Sequence, residues 1–232
     1  MNLTIYGAAQ SVTGSQYMLH INGETLLLEC GMFQGRREDT YRKNVHLAYP
    51  ADEVDAVILS HAHIDHSGNL PNLVKNGYRG KIFTTDATAH LADVMLKDCG
   101  HIQEADAEFV NKKRARRGEP PVEPIYTILD AEHVANHFQP VRYGESFQPI
   151  PGVTAQLVDA GHILGSAAIV LDLQENGHST RLWFSGDIGR LNMPLMKDPV
   201  LPEGKVDTLL MECTYGDKPH ANPEEAFIEF RE

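Results

Sequence analysis

The pattern of apolar and polar positions predicts an alternation of strands and helices along most of the chain. Runs of aliphatic and β-branched residues, bounded by turn residues, indicate strands. Two Asn-Gly pairs, Asn22-Gly23 and Asn176-Gly177, are flanked by apolar alternation and predict two hairpins. We expect strands near residues 2–6, 16–21, 24–29, 54–59, 81–84, 153–159, 167–173, 180–185 and 206–211, and helices near 68–76, 87–117, 131–138 and 223–232.

The longest expected helix begins near Ala87 and could break near Gly100. Apolar residues recur along it at helical spacing, and we interpret this stripe as core packing rather than as a binding face. The stripe consists of Leu91, Val94, Met95, Ile102 and Phe109.

Composition places the chain among α/β domains with one sizeable core. It has 232 residues, of which 42% are hydrophobic. Three cysteines, Cys30, Cys99 and Cys213, form no Cys-x-x-Cys pair and favour a reducing, cytoplasmic location. No basic segment followed by an apolar core opens the chain, and no apolar run is long enough to cross a bilayer, so we expect no membrane partner.

The chemistry of the chain concentrates in the run from His61 to His66, which directly follows an apolar strand-like segment at residues 55–60. Imidazoles and carboxylates are ligands that suit zinc, and the run contains no cysteine that would indicate a closed structural site. His61 and His63 can share one metal because alternate residues of an extended loop project the same way, whereas Asp65 and His66 turn toward a second position. Two ions about 3.5–4 Å apart would fit this arrangement.

Several motifs resemble those of one family. The string Ser-His-Ala-His-Ile-Asp-His-Ser-Gly at residues 60–68 resembles the His-x-His-x-Asp-His signature of the metallo-β-lactamase superfamily. Segments 28–31, 161–167 and 184–187 resemble three further motifs of that superfamily. The segment Met-Glu-Cys-Thr-Tyr-Gly-Asp at residues 211–217 resembles the first motif of its β-CASP branch, whose members are nucleases.

The resemblance implies a metallo-β-lactamase fold: a four-layer αββα sandwich, incomplete in this chain, with ligand loops at one sheet edge. It assigns two zinc ions to six ligands, with Asp187 bridging both. His61, His63 and His162 would hold the first ion, and Asp65, His66 and Asp187 the second. Asp65 would also orient the attacking hydroxide or accept its proton. We assign Glu29 and Glu212 to the carboxylates that receive the second N–H of ligating histidines.

The implied function is hydrolysis of RNA, with single-stranded RNA as the substrate and with hydroxide supplied at a zinc centre. Two other interpretations remain open. The first is a small-molecule hydrolase of the same superfamily that acts on a thioester or lactone, and the second is an inactive fragment with a binding role. The motif at Glu212 favours RNA over the small-molecule substrates.

In the β-CASP branch a helical insertion follows the Glu-x-Thr-Tyr-Gly motif, and two more functional histidines lie beyond it. We therefore expect residues 1–221 to form the metal-binding domain and residues 222–232 to begin such an insertion. On this interpretation the chain is a truncated form of a longer nuclease, and occupancy of the second metal position and activity both become open questions.

Net charge opposes a nucleic-acid partner, since the formal balance is −12. Two divalent cations would offset part of it. The basic stretch at residues 112–117 could contact phosphates, although we favour a solvated helix end, where positive charge complements the helix dipole. The sequence leaves open whether subunits associate as a homodimer.

Overall fold

The computed structural model describes residues 1–218 and 222–231, and the strands in this part of the chain form two sheets. The first sheet has the order β1-β2-β3-β4-β5-β6, and the second has the order β11-β10-β9-β8-β7. The first comprises β1 (Asn2–Ile5), β2 (Tyr17–Ile21), β3 (Glu24–Leu28), β4 (Ala56–Ile58), β5 (Lys81–Thr84) and β6 (Phe138–Pro140). The second comprises β7 (Ser146–Phe147), β8 (Val153–Asp159), β9 (Ala167–Glu175), β10 (His178–Phe184) and β11 (Thr208–Leu210).

Both hairpins predicted from Asn-Gly pairs are confirmed. Asn22 and Asn176 have φ angles of 53° and 51°, and each is followed by a glycine with positive φ. Two successive residues in this left-handed region match the twist of the flanking strands. The pairs therefore join β2 to β3 and β9 to β10 as antiparallel neighbours.

Helices connect the parallel strands of the first sheet. They are α1 (Arg37–Asn44), α2 (Ile64–Ser67), α3 (Leu70–Lys75), α4 (Asp86–Ala115) and α5 (Ile128–Val134), with a 3₁₀ helix at Ala51–Glu53 and a separate helix α6 (Pro223–Arg231). Because β3, β4, β5 and β6 run parallel, each connection between them is a crossover that carries helices.

The core lies in two layers on either side of the first sheet. Leu28 and Ile58 of this sheet pack with Leu157 and Ile169 of the second sheet. Alternate residues such as Leu27, Val57 and Ile82 point the other way and pack with α3, α4 and α5. In the described part of the chain the order of layers is thus helix, sheet, sheet, which confirms an α/β sandwich with two facing sheets.

The outer face of the second sheet carries a small cluster of its own. Trp183, Val170 and Ala168 are buried there with Val158 and with Val206 from the segment that leads into β11. Within residues 1–218 and 222–231 no helix covers this face as a fourth layer.

The helix predicted near residues 68–76 corresponds to α3, but the prediction of where helical structure begins is wrong. A separate short helix, α2, precedes α3 and includes Asp65 and His66. These side chains therefore project from a helical turn rather than from an extended loop.

The helix predicted at 131–138 begins earlier because Thr127 and Asp130 form a reciprocal capping box. Helix α1 and strands β6 and β7 were not predicted.

Helix α4 does not break at Gly100. A Cβ atom at this position would lie 2.9 Å from the backbone nitrogen of Ile128, so the glycine permits close packing against the start of α5. The interpretation of the α4 stripe as core packing is correct only for Leu91 and Met95. Val94, Ile102 and Phe109 are exposed because they lie on another face of the helix.

None of the helices in the described part of the chain combines the length and the apolar character needed to span a bilayer.

Replacing Gly100 with alanine tests the close approach of α4 and α5. Helix propensity alone would make alanine more stable by roughly 0.5–1 kcal/mol. We expect the clash with the turn at Thr127 and Ile128 to dominate and to lower the free energy of unfolding by about 1–3 kcal/mol. Urea unfolding followed by circular dichroism measures the change, and an increase in stability would contradict the packing described here.

Candidate metal centre

The candidate metal centre is built on a buried carboxylate, that of Glu29. The residue follows β3 and has a φ angle of 63°, in the left-handed region that non-glycine residues rarely adopt. Its side chain is fully buried. It accepts hydrogen bonds from the backbone N–H of Ser60 at 2.7 Å, from the Ser60 hydroxyl at 3.0 Å and from Nδ1 of His66 at 2.8 Å.

These contacts fix the tautomers of two histidines. The Ser60 hydroxyl has one proton, which it donates to Glu29, so its oxygen accepts from Nδ1 of His61 at 2.8 Å. His66 donates its own Nδ1 proton to Glu29 directly. Both rings therefore present Nε2 to the opposite side, where a metal ligand needs a free lone pair.

The turn that carries His61 to His66 is held by the segment after Glu29. The backbone N–H of Cys30 donates to the carbonyl of His66 at 2.8 Å, and that of Asn69 donates to the carbonyl of Cys30 at 2.9 Å. A Cβ atom on Gly31 would overlap the carbonyl oxygen of Asp65, so only glycine allows this approach. The turn is consequently clamped along its length.

His162 is brought in by the turn after β8. Ser166 Oγ accepts hydrogen bonds from the backbone N–H groups of His162 and Ile163, at 3.0 and 3.2 Å. The hydroxyls of Thr85 and Thr88, at the start of α4, both donate to the carbonyl of Gly165, at 2.7 and 2.9 Å. The first turn of the long helix thus anchors the His162 turn.

Asp187 is placed by the end of β10 and by its parallel neighbour β11. The carboxylate of Glu212, two residues past β11, accepts a hydrogen bond from the backbone N–H of Ile188 at 2.7 Å. The backbone N–H of Glu212 in turn donates to the hydroxyl of Ser185 at 3.2 Å. Glu212 therefore holds the turn that carries Asp187. The sequence predicts the N–H of a ligating histidine as the partner of Glu212, whereas in the structure the partner is the backbone N–H of Ile188.

Four potential ligand atoms converge at the first position. Nδ1 of His63 lies 3.1 Å from Nε2 of His61 and 3.2 Å from Nε2 of His162. Oδ2 of Asp187 lies 3.6 and 3.5 Å from the same two Nε2 atoms. In a tetrahedral site with metal–ligand bonds of about 2.0–2.1 Å, ligand atoms are about 3.3–3.4 Å apart. The donor set and its spacing therefore fit a zinc ion.

The second position is looser. Oδ1 of Asp187 lies 3.2 Å from Nε2 of His66, so the two carboxylate oxygens of Asp187 face different histidines. Oδ2 of Asp65 lies 3.9 Å from the same His66 nitrogen. A cavity of about 460 Å³ opens beside His66 and Asp187 and is also lined by Tyr17, Glu212 and Thr214.

A second group with metal-like spacing, Glu29, His61 and His66, is buried. We interpret it as support for the ligands rather than as an ion site. Both oxygens of Glu29 already accept hydrogen bonds from Ser60 or His66, and the His61 nitrogen on that side bonds Ser60.

The pKa values divide the histidines into two kinds. Burial lowers the pKa of His61 well below its usual value, and burial together with the nearby His162 lowers that of His63. Burial acts on His66 in the same direction, but its hydrogen bonds to Asp187 and Glu29 prevail and raise its pKa to about 10. Burial opposes ionisation of Asp187, yet the hydrogen bond to His66 brings its pKa down to about 2. Asp187 is thus a carboxylate at any ordinary pH.

The structure brings together seven of the eight residues that the sequence singled out. Their side chains are within one cluster, namely Glu29, His61, His63, Asp65, His66, His162 and Asp187. Glu212 acts on this cluster only through the backbone of Ile188. Sequence reasoning missed the contribution of Ser60, Ser166, Thr85 and Thr88. The only available signals were the position of Ser60 beside His61 and the N-cap position of Thr85.

Comparison with known proteins agrees with this arrangement. Residues 11–78 match the family model described as the metallo-beta-lactamase superfamily. A protein from Thermus thermophilus named "Ribonuclease TTHA0252" is 36% identical over 232 residues, which are 100% of this chain and 48% of that protein. "Transcription termination factor FttA" from Cenarchaeum symbiosum is 29% identical, over 98% of this chain and 34% of its own length.

A third relative is "Cleavage and polyadenylation specificity factor 73" from Drosophila melanogaster. It is 29% identical over 94% of this chain and 29% of its own length. The chain therefore spans half or less of the length of these three curated relatives.

Two facing sheets with a cluster of histidines and aspartates at their strand ends are an arrangement that fits a metal-binding domain. Residues 11–78 match the metallo-β-lactamase superfamily, and the chain resembles members of that superfamily over its whole length. Relatives with the names given above also confirm the resemblance to its β-CASP, RNA-processing branch.

Replacing Glu29 with glutamine tests whether this carboxylate orients the ligands. Glutamine would direct an NH₂ group at donors of Ser60 or His66, and we expect zinc affinity to fall about 10- to 100-fold. Titration with zinc against a competing chelator measures the affinity. Glu212→Gln is the matched control, because its side-chain carbonyl can still accept from Ile188, and its effect should be much smaller. Equal effects of the two variants would contradict the assigned roles.

The pKa of His66 predicts a pH-dependent affinity at the second position. Below a pKa of about 10, Nε2 of His66 carries a proton that a metal must displace, so affinity should rise as pH increases from about 6 to about 9. The gain should approach about tenfold per pH unit for one displaced proton.

The first position supplies the internal control for this pH series. His61 and His63 have lowered pKa values and are already neutral near pH 7, so affinity there should change little over the same range. Calorimetric zinc titrations in buffers of different ionisation enthalpy would count the released protons. A second position whose affinity does not depend on pH would show that His66 is not one of its ligands.

Proposed function

We propose that the chain is the metal-binding part of a zinc-dependent ribonuclease. The observation that carries this proposal is the convergence of His61, His63, His162 and Asp187 at zinc-like spacing, beside an open cavity. Relatives named as a ribonuclease, a termination factor and a cleavage factor support RNA as the substrate. The superfamily also includes small-molecule hydrolases, and the relatives' names favour RNA over small-molecule substrates.

We assign the ligands of the two zinc ions as follows. His61 and His162 contribute Nε2, and His63 contributes Nδ1, to the first ion. Asp65, His66 and Asp187 would hold the second ion, and the carboxylate of Asp187 would contact both ions. The opposite directions in which Oδ1 and Oδ2 of Asp187 point support this bridging role.

Zinc supplies hydroxide at neutral pH, because it lowers the pKa of a coordinated water to about 7. The chain contributes the arrangement around that chemistry. Asp65 lies at the looser, cavity-facing side of the cluster, where it can orient the nucleophile or accept its proton. Glu29 and Ser60 keep His61 and His66 in the required tautomers, and Glu212 keeps Asp187 in place.

The charges on the described surface bear on how RNA would bind. In the stretch at residues 112–117, Lys112 pairs with Glu108, Arg114 pairs with Glu119, and Lys113 lies over the ring of Phe109. The basic stretch lies at the end of α4, whereas the first turn of this helix contacts the turn that carries His162. Roughly 27 residues of helix separate the two ends, so the basic stretch lies about 40 Å from the site. These facts favour a neutralised helix end over a phosphate contact near the site. RNA would be held by the metal ions themselves and by the cavity wall that includes Tyr17.

Three further assignments belong to the same proposal. Single-stranded RNA fits best, because an open cavity beside the ligands admits an unpaired base or ribose. A cytoplasmic location agrees with three free cysteines, of which Cys213 is exposed. We also propose self-association as a homodimer.

We propose that residues 1–221 form the metal-binding domain and that residue 222 begins a separate segment. The boundary itself, at residues 219–221, lies outside the described residues, as does Glu232. In α6, Phe227 and Phe230 are 63% and 89% exposed, which supports a helix that is not part of the core of the two sheets.

A cleavage assay with metal analysis tests the proposed function. We expect purified protein to contain zinc and to cleave labelled single-stranded RNA faster than a duplex of the same sequence. A chelator should abolish cleavage, and added zinc should restore it. His162→Ala should reduce zinc content and lower the cleavage rate at least roughly 100-fold. The exposed His178→Ala, at the start of β10, is the matched control and should leave both unchanged.

The two rival functions give different results in the same assay. Zinc-dependent hydrolysis of a thioester or lactone without cleavage of RNA would identify a small-molecule hydrolase. Bound RNA without hydrolysis of any substrate, with zinc present, would identify a binding role. Either result would overturn the proposed ribonuclease activity.

A further inference from the structure

Helix α4 extends beyond the hydrophobic core and helix α5, against which its first half packs. Its buried residues, Thr88, Ala89, Ala92, Leu96 and Gly100, all lie in the first half. The second half, residues 101–115, contacts its own following segment, where Asn111 exchanges two hydrogen bonds with the backbone of Val122. The outer face of this half is therefore open to solvent.

The open face carries apolar residues. Val94, Ile102 and Phe109 are 65%, 53% and 50% exposed, and Ala105 is exposed between the last two. At 3.6 residues per turn, Ile102, Ala105 and Phe109 lie within about 60° of one another around the helix axis. The buried face centred on Ala92 and Leu96 is rotated from them by about 120°. This stripe does not belong to the core.

Charges at the two ends of the stripe are of opposite sign. Asp98 lies on the same face, one turn before Ile102, and Lys113 and Arg116 lie on it after Phe109. All three are exposed. A second copy of the helix running in the opposite direction would place acid against base at both ends, whereas a parallel copy would place like charges together. The charges of α4 are thus complementary to those of an antiparallel second copy, which favours a second copy as the occupant and the antiparallel direction over the parallel one.

We propose that α4 forms an antiparallel pair with α4 of a second copy of this chain. In a two-fold interface each contact occurs twice, so Ile102 packs on the partner's Phe109 and Phe109 on the partner's Ile102. Positions whose numbers sum to about 211 then face each other, which brings Asp98 to the partner's Lys113. The two-fold axis passes near Ala105, where a small side chain lets the helices approach.

The small size of the stripe predicts a weak dimer. One helix face buries less than the roughly 800 Å² per partner of a standard interface, so we expect a dimer that dissociates reversibly on dilution. The apolar contacts supply the affinity. Exposed ion pairs contribute little to stability, and their role here is to set the antiparallel orientation.

Sedimentation equilibrium of the full chain over about 10 μM to 1 mM tests the pairing. We expect a reversible monomer–dimer equilibrium, and Phe109→Glu should weaken it at least tenfold. Leu201→Glu, which also places a charge on an exposed apolar residue but lies far from α4 in the sequence, is the control and should leave it unchanged. Circular dichroism would establish that each variant is folded.

Charge reversal tests the direction. Asp98→Lys and Lys113→Glu should each weaken the dimer several-fold, because each creates like-charge pairs across the axis. The double variant should restore association to near the original constant. A monomer at 1 mM would overturn the proposal and leave the stripe to another partner. A dimer that is insensitive to Phe109→Glu, or a double variant that fails to recover, would overturn it as well.

Discussion

The arrangement of the site depends on one buried carboxylate. Glu29 is inaccessible to water, and each of its contacts acts on a different part of the candidate metal centre. Through Ser60 it orients His61, and through Nδ1 it orients His66. A carboxylate removed from water is costly unless donors surround it, which is why the interaction with Ser60 and His66 must form as a unit.

The fold supplies the site at the cost of local strain. Glu29 adopts a left-handed conformation, which costs a non-glycine residue on the order of 1–3 kcal/mol when it is held there. Gly31 and Gly165 allow backbone approaches that any side chain would block. The ends of β3, β8 and β10 thereby reach a common centre, while the strands themselves stay regular. At Glu29 this strain lies directly beside the proposed ligands.

Much of this organisation could be predicted from sequence, for physical reasons that differ between elements. The Asn-Gly hairpins were predictable because two positive φ angles are needed there and few residue pairs allow them. The run from His61 to His66 was informative because so many potential ligands in one short turn are rarely found without a metal ion. The resemblance to the metallo-β-lactamase superfamily and to its β-CASP branch was predicted from motifs rather than from periodicity.

Other features depend on contacts that a local pattern does not contain. The function of Gly100 as a packing glycine is decided by Ile128 at the start of α5, far along the chain, so the local pattern predicted a break instead. The stripe on α4 has the same spacing whether it faces the core or solvent, and only the contacts made in the folded chain show which face of the helix is buried. Glu212 was identified by its motif, but its partner Ile188 became known only from the parallel pairing of β10 and β11.

We propose that imidazoles from separate turns share one zinc ion, and that Glu29, acting through Ser60, selects the nitrogen that His61 presents to it. Anomalous diffraction at the zinc edge from crystals of zinc-loaded protein tests it most directly. We predict a peak within about 2.0–2.2 Å of Nε2 of His61, Nδ1 of His63 and Nε2 of His162. A peak bound by Glu29, or none near these three nitrogens at saturating zinc, would contradict it.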